Sequence, residues 1–245
     1  MQLYFIRHGE SENNALWART GDNRGRSEDP ELTETGRRQA TCVAQFLRTT
    51  TDWVEHRGAY AAGQERDNGK GFGITHLYCS PMIRAVATGA AIAEALDLPL
   101  MAWMDLHESG GIFLEDEETG ELVGLPGRDR AYFEALYPRL TLPDELGDGG
   151  WWNRAFEGRE QRPLRAEQVL RGLLARHVPS DDQVAWVSHG GFYNYFVAAV
   201  LGLPHRERFR FQLNNVAITR FDFTEEHVWV RYMNRIDFLP AGLIT

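Results

Sequence analysis

Apolar residues in this chain come in short runs separated by amphipathic stretches, a pattern that predicts strands and helices in alternation. Gln2–Ile6 reads as a buried strand, and a helix follows from about Ser11, its candidate N-cap. Residues 22–30 are polar and turn-rich and read as loop. Thr33 is placed to cap a helix running to about Leu47, in which Ala40, Val43, Ala44 and Leu47 recur at helical spacing. Ile74–Cys79 is a second strand. Ser80-Pro81 then opens a helix to about Leu96, with proline at its first position, where a missing N–H costs nothing. Pro99–Met104 is a third strand, Pro163–His177 a helix, and Gln183–Ser188 a fourth strand leading into an apolar helix that ends at Leu203. Val216–Phe223 and His227–Met233 read as a hairpin.

Two stretches break the alternation. Thr49–Gly73 is charged, glycine-bearing and weakly periodic, and reads as a loop or helical extension. Its Gly69-Lys70-Gly71-Phe72-Gly73 lacks the spacing of a nucleotide loop and precedes a strand instead of following one. From about 109 to 162 short helical pieces mix with glycine, acidic residues and aromatics, and this segment reads as a cap inserted into a single domain spanning 1–245. The expected fold is α/β, a three-layer α/β/α arrangement around a mostly parallel sheet.

Composition narrows the function. The net charge of −9 argues against nucleic acid or an anionic membrane surface as the main partner. The longest apolar stretch, Phe192 to Leu203, is too short to span a bilayer, and the run before Arg7 is too short for a signal peptide. Two cysteines form no disulfide framework, so a reducing, cytoplasmic setting is expected. Lys70 is the only lysine, so nearly all positive charge sits on arginine, whose planar fork suits phosphate or carboxylate.

In open parallel sheets ligands bind off the carboxyl ends of the strands. The first strand delivers Arg7 and His8 there, the second leads to Arg84, the third to Glu108, and the fourth to His189 with Gly190 and Gly191 behind it. The two arginines, two histidines and one carboxylate are the parts phosphoryl transfer needs: a nucleophile, positive charge for the equatorial oxygens, and a proton for the leaving group. Gly190 offers a bare N–H to a phosphate oxygen. His76 and His107 read as structural, and a metal held by His8, His107 and His189 would be repelled by the arginines. Trp151-Trp152 and Phe156 read as a small core of the insertion, with substrate lining as the other reading; Arg162 and Arg165 either border the site or begin a helix.

Five segments in order carry a resemblance to the histidine phosphatase superfamily, which includes the cofactor-dependent phosphoglycerate mutases. They are Arg7-His8-Gly9-Glu10-Ser11 with Asn14, Leu32-Thr33-Glu34-Thr35-Gly36, Ser80-Pro81-Met82-Ile83-Arg84-Ala85 with Thr88, Leu106-His107-Glu108, and Val187-Ser188-His189-Gly190-Gly191. The resemblance implies that His8 is the phosphorylated nucleophile and that Arg7, Arg84 and His189 hold the transferring group. It implies Glu108 as proton donor, Asn14 as a phosphate contact with Ser11 beside it, no metal and no cofactor. Mutases of this type also carry a characteristic stretch before the Leu-Thr motif and a Tyr-Gly pair after the acid. Here those positions read Ala15 to Asp22 and Ser109-Gly110-Gly111-Ile112-Phe113, and neither matches. The expected activity is hydrolysis of a small phosphomonoester. The alternatives are mutase-type transfer and a non-catalytic phospho-ligand or protein-binding module on the same fold.

Overall fold

The computed structural model describes residues 1–50, 72–144, 146–204 and 209–245. Most of the stretch read as loop or helical extension after Thr49 therefore lies outside the described residues. The central sheet has seven strands. In chain order they are β1 (Gln2–Arg7), β2 (His76–Cys79), β3 (Leu100–Ala102), β6 (Leu140–Thr141), β7 (Gln183–Ser188), β8 (Ile218–Phe223) and β9 (Val228–Arg235). Two further strands, β4 (Phe113–Glu115) and β5 (Leu122–Gly124), form a separate antiparallel ribbon. The spatial order is β6-β3-β2-β7-β1-β8-β9. The first five of these run parallel and the β8–β9 hairpin closes one edge antiparallel, so the fold is α/β with a mostly parallel sheet, as the alternation predicted.

Six helices are described: α1 (Glu12–Thr20), α2 (Glu34–Thr49), α3 (Ile83–Leu96), α4 (Arg130–Leu136), α5 (Gln161–His177) and α6 (Gly190–Val200). Two hydrophobic clusters hold the layers together. One joins Tyr4, Ile6 and Val187 to α2 and α3; the other joins Phe5, Trp186 and Phe221 to α5 and α6. Alternate residues of β1 therefore feed opposite faces, as the two-residue period of a strand requires. Every residue of β7 is buried, because it lies between β1 and β2 with a layer on each side.

Local chemistry sets the element ends. Ser11 caps α1 in a reciprocal box with Asn14, and the Thr33 side chain caps α2. Pro81 is not the first helical residue of α3. The helix begins at Ile83, with the Met82 N–H turned back to the Ser80 hydroxyl. The inserted segment is also less detached than its composition implies, since β6 pairs with β3 and extends the central sheet. Trp151 and Trp152 are buried in the first of the two core clusters, which explains their exposure-averse side chains without a ligand. Among the described residues no helix is long and apolar enough to cross a membrane.

Candidate active site

The register of the parallel strands brings the sequence motifs together. Arg7 pairs with Ser188 and Cys79 with Val187, so the residues that follow each strand emerge side by side. The His8 and His189 ring centroids lie 5.0 Å apart. The His189 Nε2 and the Ser80 hydroxyl are 2.8 Å apart, while Nδ1 of that ring is buried with no protein partner.

His8 is held in one tautomer. Its Nδ1 lies 2.6 Å from the Gly9 carbonyl, which can only accept, so Nδ1 carries the proton. Nε2 accepts from the Nε–H of Arg84 at 3.2 Å and therefore bears the lone pair. Burial lowers the His8 pKa well below the ordinary histidine value, and Arg84 and Arg7 lower it further. Burial does the same to His189, again with Arg84 adding to it. His8 is thus a neutral imidazole whose free nitrogen faces a guanidinium.

Glycines let these segments approach. A Cβ on Gly9 would lie 2.6 Å from the Gly36 carbonyl oxygen, and one on Gly36 would collide with the Glu10 carbonyl, so the first two motifs interlock backbone to backbone. The Gly9 N–H donates to the Thr88 hydroxyl, which itself donates to the Arg84 carbonyl. The turn that carries His8 is thereby fastened to the helix that carries Arg84.

Glu108 sits against the start of α6. Its Oε1 accepts from the Ser109 and Phe192 N–H groups at 2.7 and 2.8 Å, and its Oε2 from Gly191 at 3.0 Å. A Cβ on Gly191 would strike this carboxylate, which accounts for the second glycine of the fourth motif. The segment bearing Glu108 is braced by Arg165. That guanidinium makes a bidentate pair with Glu157 and donates to the carbonyls of Asp105 and His107, and Glu157 also accepts from the Gly110 N–H. Arg165 therefore supports the loop instead of reaching a ligand. Arg162 donates to the Glu157 carbonyl.

Arg7 donates to the Leu213 carbonyl through Nη1, and its buried Nε has no partner. Burial pulls its pKa down to about 10, and Glu108 acts in the other direction. Gly190 packs on it, with a Cβ there 3.5 Å from Nε. Ser11 and Asn14 stand differently from their reading as ligand contacts. The Ser11 hydroxyl accepts from the Asn14 N–H, and Asn14 Oδ1 accepts from the Ser11 N–H and from Asn215. Both side chains work as a cap, and the Asn14 amide nitrogen is the atom left for an anion.

Two groups near the site were read only as loop. Arg26 lies over the Phe113 ring with its buried Nε unpartnered. Burial lowers its pKa, with Arg84 adding to the effect and Glu108 opposing it. Asp29 is buried, accepts from the Ile83 N–H at 3.1 Å and lies 3.6 Å from Arg84 Nη1. Neither position belongs to a periodic element, so no hydrophobic pattern marks it. Burial pushes the Asp29 carboxyl up from 3.8 to about 7, against the opposing pull of Arg84. A carboxyl raised in the folded state costs no stability below the unfolded value and costs most above the folded one. The penalty grows between about pH 4 and 7 and reaches on the order of 4 kcal/mol. Asp29→Asn should therefore melt at a higher temperature than the wild type at pH 8, with the gain gone by pH 4; a lower melting temperature at pH 8 would contradict this.

His76, His177 and Asp182 form a separate cluster at the other end of the sheet. His177 Nδ1 pairs with Asp182 at 2.8 Å, its Nε2 with the Tyr78 hydroxyl, and His76 Nδ1 with Thr75. Hydrogen bonds within the protein already use both nitrogens of His177, and the cluster acts as a staple between α5 and β2.

Comparison with known proteins agrees with the geometry. The model of the histidine phosphatase superfamily (branch 1) matches residues 3–66 and 54–236. The chain belongs to this superfamily. A protein of Yersinia pestis (strain Pestoides F) described as a probable phosphoglycerate mutase, GpmB, is 28% identical over 228 residues, covering 92% of this chain and 86% of its own. Among solved structures, phosphoserine phosphatase from Entamoeba histolytica in complex with 3-phosphoglyceric acid superposes with a TM-score of 0.60 at 24% identity, over 98% of this chain and 99% of that one. The alpha-ribazole phosphatase from Shigella flexneri gives 0.61 at 18% identity, over 96% of each chain. These histidine phosphatase structures share the α/β fold.

Proposed function

We propose that this protein is a metal-independent phosphatase of small phosphomonoesters that works through a phosphohistidine on His8. The observation that carries this reading is the fixed tautomer of His8, with a lone pair on Nε2 facing Arg84 and a second neutral histidine alongside. In the first step Nε2 attacks phosphorus and the ester P–O bond breaks. Glu108, in its protonated form, gives its proton to the departing oxygen. The Arg84 Nε–H leaves Nε2 and, with Arg7 and His189, binds the phosphoryl oxygens. Water then attacks phosphorus, Glu108 takes its proton, and the electron pair of the N–P bond returns to Nε2. Inorganic phosphate departs.

Transfer to a second substrate oxygen instead of water is the mutase reading, and the description of the Yersinia relative favours it. The stretch after the acid, Ser109-Gly110-Gly111-Ile112-Phe113, lacks the Tyr-Gly pair of mutases and favours hydrolysis; in it Ile112 is buried and Phe113 packs on Arg26 and Phe156. Turnover of an aryl phosphate and of a panel of phosphorylated metabolites, each with and without chelator, tests the proposal. Phosphate release unaffected by chelator is expected. Bisphosphoglycerate-dependent isomerisation of phosphoglycerate without net release would establish the mutase, and no turnover of any kind would favour a binding module.

A further inference from the structure

The Arg84 guanidinium is gripped from three sides. Nε donates to His8 Nε2, Nη2 lies 3.1 Å from the Met82 sulfur, and Nη1 lies 3.6 Å from Asp29 Oδ1. The sulfur is a weak acceptor, and the His8 contact must be surrendered when phosphorus arrives. Among the described residues Asp29 is the carboxylate paired with Arg84, and this ion pair can persist through the reaction. Its loop is itself tied down, because Ser27 exchanges two hydrogen bonds with the Asn13 side chain on α1. Asp29 Oδ2 is buried with no partner, so the carboxyl is not placed there for full satisfaction of its own bonds. Capping the Ile83 N–H would need only a neutral oxygen.

We propose that Asp29 is a positioning residue, holding Arg84 from behind so that its Nε–H aims at His8 Nε2 and then turns to the phosphoryl group. The charged groups acting on Asp29 are Arg84 and, more weakly, Arg128 and Glu28, together with the Ile83 N–H. Burial and Glu28 favour its neutral form, and the other groups favour the carboxylate. A carboxyl kept in a site that disfavours its charge, where asparagine would cap the helix equally well, is consistent with selection for geometry over stability. The catalytic consequence rests on the phosphatase reading, whereas the grip on Arg84 does not.

The test reads both separately. The Arg84 Nε–H resonance is followed by 1H–15N NMR in wild type and Asp29→Asn, assigned from its disappearance in Arg84→Lys. Arg165 and Arg220, whose Nε–H groups pair with Glu157 and Asp222, serve as internal controls. Solvent exchange of the Arg84 proton should quicken by about tenfold or more in Asp29→Asn, with the two controls unchanged and partial restoration in Asp29→Glu. On a substrate found by turnover, kcat should fall by about tenfold with KM within about threefold. Arg84 exchange within twofold of wild type would overturn the proposal, and so would equal quickening of all three arginines, which would mark a general loosening. If the wild type turns over nothing, the phosphatase reading fails while the exchange result still decides the role of Asp29.

Discussion

His8→Ala should abolish phosphate release, with a loss on the order of 10⁶-fold in kcat, the scale seen when a catalytic nucleophile is removed. The size of the effect follows from the site's construction. The ring's surroundings leave the lone pair on Nε2: Gly9 fixes the proton on Nδ1, Arg84 faces the lone pair, and burial among cations keeps the ring neutral. His189 cannot take over, because its Nε2 is engaged by Ser80 and its remaining nitrogen belongs to a ring centred 5.0 Å away. The substitution should leave the fold intact, since the His8 backbone bonds to Ser188 and Val216 do not depend on the side chain. Steady-state turnover measures it. A variant retaining a tenth of wild-type activity would move the nucleophile elsewhere.

Glu108→Gln should lose activity selectively. An alkyl phosphate leaves as a basic alkoxide and needs a proton, so the variant should hydrolyse it about 10²- to 10³-fold more slowly. An aryl phosphate with an acidic phenol leaves without that help and should lose far less. The ratio of the two losses separates a proton donor from a positional role. Equal losses on both substrates would make Glu108 a structural residue of the α6 N-terminus, which its three backbone hydrogen bonds would also serve. The same bonds explain the second glycine after His189: the Gly191 and Phe192 N–H groups hold the carboxylate, and a side chain on Gly191 would displace it.

The parts of this site that were legible in the sequence are those that strands deliver. Arg7 ends β1 and His8 and His189 follow β1 and β7, whose continuous apolar runs mark them plainly, and parallel register places their ends together. The Ser11 and Thr33 caps were legible because side-chain capping leaves a local signature. Ser11 and Asn14 also show the limit of motif reading, since the same two residues satisfy a helix terminus as well as they would an anion. Pro81 misled by two residues, because Asp29 reaches in from a distant loop to take the Ile83 N–H and lets α3 start later. Asp29 and Arg26 were illegible for the same reason: their roles come from tertiary burial in a segment with no period. The short strand β6 is two residues long, and only its partner β3 defines it.

The central claim is a covalent phosphate on His8 Nε2. Wild-type protein mixed rapidly with substrate and quenched in alkali, where phosphohistidine survives, should carry one added phosphoryl group by intact mass. Peptide mapping should place it on the segment containing His8, and acid treatment should remove it. Substrate turnover with no such adduct at any quench time, or a label on another residue, would contradict the account.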